Sequence, residues 1–369
     1  MASRNQAEVN CFSNSRDDAS PFSNLAPVCY ICREYRSSRR ALICEDDLPH
    51  SLVTGGAGFI GSHLVEALLA RGRSVVVLDD LSTGSLANLA AVHNHPRLRF
   101  VRDTIANEKH LDELLDEADE IFHLAAVVGV RRVLNEPQRT VATNIEPVEA
   151  ILRYLERYPK PLFLASTSEV YGKNPKSPLA EDDDLVFGPT TRGRWVYACS
   201  KAIDEYLALA QHQRTGLPAV IGRFFNVVGP RQVGEYGMVL PRFVDCALEG
   251  RPLLVHGDGR QVRCFAHVAD VVDAILQLMA NPSAYGRVFN LGSDAPITIR
   301  ELADAVVRAV NPQAVVEHIA YEKVFPLGFE DIRCRIPDLA RVRQTIGYQP
   351  RHGLEDILRA VADSKRPAP

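Results

Sequence analysis

The segment Ser51-Leu-Val-Thr-Gly-Gly-Ala-Gly-Phe-Ile-Gly61 constrains this chain more than any other. An apolar run ends in glycines, and an amphipathic stretch follows. Glycine permits a tight turn and lets backbone amides approach a ligand closely. The residues after Gly58 predict a helix to about Arg71, with Gly72 at its stop. Strand, bare turn and helix start together make a site for a pyrophosphate, because the helix N-terminus adds roughly half a positive charge. Gly55, Gly58 and Gly61, with Phe59 and Ile60, are its candidate residues. The next apolar run, Ser74 to Leu78, ends at Asp79. A carboxylate there accepts hydrogen bonds from ribose hydroxyls and repels a 2′-phosphate, which selects NAD over NADP. Asp80 competes for that role.

The same alternation continues along the chain. Leu98–Val101, Ile121–Leu124, Leu162–Ala165 and Ala219–Arg223 read as strands. Helices are expected over 108–117, 147–158 and 197–213, and later over 239–249, 268–280, 299–310 and 354–362. Strands alternating with helices predict an α/β chain, a Rossmann-type doubly wound parallel sheet with a smaller C-terminal α/β substrate lobe. The expected division is a poorly ordered extension over 1–48, a nucleotide domain over 49–225, a substrate lobe over 226–363 and a tail over 364–369. Residues 265–291 are expected to return to the nucleotide side. A chain lacking residues 2–47 is expected to keep its activity.

Composition removes other classes. The 369 residues are 46% hydrophobic with a net charge of −4, so a large core is available and no basic surplus exists for nucleic acid. No apolar stretch approaches the ~20 residues of a membrane helix, and the chain is expected to be soluble and cytoplasmic. Eight cysteines are too sparse for a disulfide framework. Cys29-x-x-Cys32, with Cys44 and His50, has a superficial zinc spacing, but a single CxxC pair reads as reduced thiols. The run Glu181-Asp-Asp-Asp184 reads as a solvated loop, so no metal is expected.

Tyr197-Ala-Cys-Ser-Lys201 puts a phenol and an ammonium at i and i+4 on one helix face. A tyrosine with its ordinary pKa near 10 is a poor base at neutral pH. A nearby Lys201 and an oxidised nicotinamide are expected to favour phenolate, so Tyr197 can take a proton from a sugar hydroxyl. Ser166-Thr-Ser-Glu-Val-Tyr-Gly172 follows an apolar strand, so its polar groups emerge at the carboxyl edge where ligands bind open sheets. Thr167 can share the reacting proton. Glu169 suggests proton chemistry beyond simple dehydrogenation; its plainer reading is a surface residue opening a loop.

These motifs, with His123-Leu-Ala-Ala126, Arg223-Phe-Phe-Asn226-Val-Val-Gly-Pro230-Arg231, Gly257-Asp-Gly-Arg-Gln-Val-Arg263 and His267-Val-x-Asp270, resemble the extended short-chain dehydrogenase/reductases over residues 51–363. The nucleotide-sugar epimerases, dehydratases and decarboxylases are the most similar group. The resemblance implies an NAD-dependent enzyme acting on a nucleotide sugar, UDP favoured, and a homodimer through a four-helix contact. It implies that Asp103 meets the adenine with Ile105 beside it, and that Leu124, Ala125 and Ala126 line the cofactor, with Tyr197 and Lys201 at its nicotinamide end. Asn226 and Arg263 would hold the nucleotide diphosphate, for which an arginine fork is suited, and Arg231 would bind substrate.

Three reactions in this group begin with oxidation at C4 of the sugar: 4-epimerisation, 4,6-dehydration and decarboxylation of UDP-glucuronate. Thr167-Ser168-Glu169, Arg194-Trp195-x-Tyr197 and Arg335-Ile-Pro-Asp338 resemble the decarboxylases, with Ser168 and Arg335 near the sugar carboxylate. A buried carboxylate needs such a cation. Arg333 competes with Arg335, and Arg131-Arg132 adds cations nearby in sequence. Decarboxylation is the expected reaction, 4-epimerisation the alternative and 4,6-dehydration the third. A sensor that binds NAD without turnover is disfavoured, because both Tyr197 and Lys201 are present.

Overall fold

The computed structural model describes residues 49–127, 137–234, 238–324 and 332–366. The N-terminal extension with its CxxC pair, and Arg131-Arg132, lie outside these residues. β1 (His50–Thr54), β2 (Ser74–Leu78), β3 (Leu98–Val101), β4 (Glu120–His123), β5 (Leu162–Thr167) and β6 (Ala219–Phe224) alternate with α1 (Phe59–Ala70), α2 (Glu108–Glu117), α3 (Pro137–Arg157) and α4 (Val196–Thr215). Short strands and helices follow: β7 (Val227–Val228), α5 (Val239–Leu248), β8 (Leu253–His256), β9 (Val262–Cys264), β10 (Ala266–His267) and α6 (Val268–Met279). The chain continues through β11 (Arg287–Leu291), β12 (Pro296–Thr298), α7 (Ile299–Val310), β13 (Val316–Ile319), β14 (Cys334–Arg335), α8 (Ala340–Ile346) and α9 (Leu354–Lys365).

Near-continuous apolar runs such as Ser-Val-Val-Val-Leu in β2 suit strands covered on both faces. Seven of them form one parallel sheet in the order β11-β6-β5-β4-β1-β2-β3. From β1 the chain steps outward to β2 and β3. From β4 it steps the other way, to β5, β6 and finally β11. The order therefore reverses between β1 and β4, which opens a crevice at their carboxyl ends.

Successive side chains on a strand face opposite sides, and the cores divide accordingly. Val53, Val77, Phe122 and Phe163 pack with Leu64 and Leu68 of α1 and Val271 and Ile275 of α6. Leu52, Ile121, Leu162 and Leu164 pack with Leu111 and Leu115 of α2 and Ile151 and Leu155 of α3. A third core joins Leu240 and Phe243 of α5, Leu302 and Val306 of α7 and Ile357 and Val361 of α9. Between β6 and that third core's last helices, α6 lies against α1 and β11 extends the large sheet.

Two expectations are corrected. The periodicity was expected to give a helix over 147–158, while the four-helix contact implied by the resemblance needed one over 136–158; the longer range is nearer the structure. Helix α3 begins at Pro137 and carries Pro147 inside it. Buried Thr140, Asn144, Val148, Ile151 and Leu155 recur at three- and four-residue spacing, and this continuous face against α4 outweighs one missing N–H. The acidic run is not uniformly solvated either. Glu181 is buried and accepts from the Asn290 amide at 2.9 Å, whereas Asp182 is exposed and pairs with Arg341 at 2.5 Å. No helix among the described residues is long and apolar enough to cross a membrane.

Candidate active site

The turn between β1 and α1 can exist only without side chains at two points. Gly55 has φ +71°, and a Cβ there would lie 2.8 Å from the Ala125 amide nitrogen. A Cβ on Gly61 would lie 2.1 Å from the Gly55 carbonyl oxygen. The turn is thus bare backbone, pressed against the chain leaving β4. Asp79, at the end of β2, is 8% exposed and accepts from Ala57 N at 2.9 Å and Leu81 N at 2.8 Å. Burial raises its pKa, partly offset by those amides. Asp80 is exposed and accepts only locally, from Ser82 N at 2.8 Å. Asp79 rather than Asp80 is therefore built into the turn.

These groups line one cavity of about 930 Å³. Every residue expected to be catalytic or to bind cofactor or substrate, apart from Lys201, contributes to its wall. Phe59, Ile60, Leu124, Ala125 and Ala126 flank the turn, and Ile105 is buried beyond it. Asp103 is committed locally: it accepts from Thr104 N at 2.7 Å and Asn107 Nδ2 at 2.8 Å, and hydrogen-bonds His110 Nδ1 at 2.7 Å. A bare turn, a helix with no acidic residue in its first turn and a buried carboxylate at the β2 end fit the diphosphate and ribose of a dinucleotide.

The other half of the cavity is lined by the carboxyl end of β5 and the start of α4. Tyr197 is hydrogen-bonded to Thr167, and the Thr167 hydroxyl accepts from the Glu169 amide at 3.2 Å. Burial, and then the charges of Glu169 and Asp204, hold the Tyr197 phenol above its ordinary range; the Thr167 bond opposes them. Lys201 Nζ, four residues on from Tyr197, has a partner of its own that the sequence reading passed over: it donates to Asp204 Oδ2 at 2.8 Å, with both side chains buried.

Glu169 is not a surface residue. Arg194 grips it with Nη1 at 2.5 Å and Nη2 at 3.0 Å, and Arg335 Nη1 lies 3.5 Å away and donates to Ser168 Oγ at 3.2 Å. Burial would raise the Glu169 pKa, but Arg194, Arg335 and, more weakly, Arg263 hold it at about 2. Arg333, two residues from Arg335, is exposed and does not line the cavity, whereas Arg335 does. Asn226, at φ +39°, donates to Cys264 O at 2.9 Å, and Arg263 donates to Val262 O at 2.9 Å. Arg231 lines the cavity but turns toward α1, reaching Ser62 Oγ at 3.2 Å and Glu66 Oε1 at 2.5 Å.

Three functional candidates were given no role from sequence, although Arg194 and His123 stand in motifs that carry the resemblance. Arg194 precedes Tyr197 by one helical turn, and Asp204 follows Lys201 by one turn. Both spacings were visible but have no meaning until the face they share is known to be buried. His123, hydrogen-bonded to Thr54 Oγ1 at 2.9 Å, is pushed down to about 3 by burial and by Lys201.

Comparison with known proteins agrees with this geometry. The model of the NAD dependent epimerase/dehydratase family matches residues 51–292. A UDP-N-acetyl-alpha-D-glucosaminuronate decarboxylase of Bacillus cytotoxicus is 38% identical over 84% of this chain and 95% of its own length. UDP-glucuronic acid decarboxylase 1 of Arabidopsis thaliana is 34% identical over 85% of this chain and 69% of its own. The structure of a dTDP-glucose 4,6-dehydratase from Streptomyces venezuelae, with NAD bound, superposes with a TM-score of 0.75 at 32% identity, covering 85% of this chain and 95% of that one. With glycine turn, Asp79 and the Tyr197–Lys201 helix in one cavity, the chain belongs to the NAD dependent epimerase/dehydratase family, and NAD is its cofactor.

Proposed function

We propose that this enzyme decarboxylates a UDP-hexuronate through a sugar ketone at C4. The observation that carries the reading is the group Arg194–Glu169–Arg335 beside Tyr197. Both guanidiniums line the cavity wall near Tyr197, and their planar forks suit a carboxylate on the substrate. A neutral hexose offers those forks no charge to bind. The names of the decarboxylase relatives point to the same substrate class.

Tyr197 takes the proton of the C4 hydroxyl, with Thr167 sharing the hydrogen bond, and Lys201 supplies positive charge beside the phenol. NAD⁺, held by Gly55, Gly58, Gly61 and Asp79, supplies the acceptor for the C4 hydrogen and the donor that returns it. With a carbonyl at C4, the C6 carboxylate is β to a ketone. The C5–C6 bond breaks, CO₂ leaves, and the bonding pair passes to C5 and the C4 oxygen as an enolate, which takes up a proton from solvent at C5 before the hydrogen returns to C4. Arg194 and Arg335 orient the carboxylate for that cleavage. Glu169, held ionised, aligns the two guanidiniums and is available to accept rather than donate a proton. Asn226 and Arg263 hold the diphosphate.

Purified protein, NAD⁺ and either UDP-glucuronate or UDP-N-acetylglucosaminuronate, followed by proton NMR and mass spectrometry, tests the proposal. A UDP-pentose, or its 4-keto or N-acetylated counterpart, with loss of CO₂ is the expected product. A product of unchanged mass would make the enzyme a 4-epimerase, and loss of water would make it a dehydratase. We also place the enzyme in the cytoplasm, on its free cysteines Cys199, Cys246, Cys264 and Cys334, and read it as a homodimer through α3 and α4. Val141, Ile203 and Tyr206 expose apolar side chains on those helices, Tyr206 at 67%.

A further inference from the structure

The pairing of Lys201 with Asp204 is more than a helical ion pair on a surface. The side chains are 2% and 0% exposed. Asp204 uses one oxygen on the ammonium, and its other oxygen, Oδ1, is buried without a hydrogen-bond partner among the described residues. An incompletely satisfied carboxylate is costly to bury, and an apolar residue would pack there at lower cost. A role in holding the fold together therefore accounts poorly for it. Its surroundings are those of the reacting phenol. Glu205 on α4 is committed to Arg223 at 2.7 Å, and Glu149 on α3 is exposed. His123 on β4 interacts with Lys201, while Glu169 and Thr167 face Tyr197 from the end of β5.

We propose that Asp204 is a positioning residue, which fixes the direction of the Lys201 ammonium and cancels part of its charge as felt by Tyr197. With part of the ammonium's charge cancelled, the phenol of Tyr197 stays neutral until more positive charge stands beside it. Burial, Glu169 and Asp204 all act on Tyr197 in the direction this requires. The inference rests on Tyr197 as the proton acceptor but not on the identity of the sugar.

The test is Asp204→Asn, which keeps the shape and removes the charge, read in protein loaded with NAD⁺ and carrying isotope-labelled tyrosine. The Tyr197 signal, assigned by its loss in Tyr197→Phe, is titrated by NMR without substrate. In Asp204→Asn its midpoint should fall by about one pH unit, as expected for removing a neighbouring negative charge. The acidic limb of kcat should move down with it. An unchanged midpoint accompanied by lower kcat would reduce Asp204 to a structural residue and overturn the proposal. Asp204→Ser, smaller and also uncharged, reads the same midpoint if the asparagine variant does not fold. Because the titration needs no sugar, failure to turn over a UDP-hexuronate would count against the proposed reaction and leave this result standing.

Discussion

At the residue scale, the chemistry depends on where charge is permitted. Replacing Tyr197 with phenylalanine keeps the ring and removes the proton acceptor; kcat should fall by roughly 10²–10⁴ with little change in KM. Steady-state kinetics on the decarboxylated substrate check this. His123 makes a second, independent prediction about stability. Its folded pKa lies near 3 against 6.5 for an ordinary histidine, so below pH 6.5 the unfolded chain binds a proton that the folded chain refuses. Stability is therefore lost as pH falls. Between pH 7 and 5 the loss from this residue is about 2 kcal/mol. Urea unfolding at the two pH values, compared with His123→Gln, should show the variant losing less by about that amount. Tyr197, Lys201, Glu169 and Arg335 were legible in the sequence because their motifs are local. Arg194 was legible only as part of a motif and Asp204 not at all, because their ion pairs matter only where both partners are buried.

At the element scale, periodicity located nearly every strand of the large sheet and the helices between them. It failed at Pro147, where burial of one continuous face kept a helix going through a residue that usually begins one. It also passed over short strands such as β12 and β14, which are two or three residues long and owe their form to β9 between them. Glycine placement was the most reliable signal, since it reports a backbone requirement directly. Gly61→Ala puts a methyl group 2.1 Å from the Gly55 oxygen. The turn must open to accept it, and NAD affinity should drop at least about tenfold, a loss of 1.4 kcal/mol. Calorimetric titration of NAD⁺ measures that drop, and wild-type affinity in the variant would contradict the role given to the turn.

At the scale of the whole molecule, the sheet places the cofactor turn at the point of reversal between β1 and β4, and β5 and α4 bring the reacting groups to the same carboxyl edge. A three-stranded sheet, β12-β9-β14, contributes Arg263 from β9 and Arg335 from β14 to the cavity wall, and the register of those two strands sets the arginines side by side. That pairing was invisible in the sequence, which separates Arg263 from Arg335 by 72 positions spanning several helices and strands. The exposed apolar strip on α3 and α4 predicts that Tyr206→Glu yields monomers in analytical ultracentrifugation where the unaltered chain yields dimers. A monomeric unaltered chain would remove that assignment.

The reading of Arg194 and Arg335 as the receptor for a sugar carboxylate is tested most directly by binding rather than turnover. Dissociation constants for UDP-glucuronate and UDP-glucose, measured on the unaltered enzyme and on Arg335→Ala, separate charge recognition from nucleotide binding. The account predicts that the variant loses about tenfold or more in affinity for the uronate, the value of a charged hydrogen bond, and keeps its affinity for the neutral sugar. Equal losses for both ligands, or none for either, would contradict it.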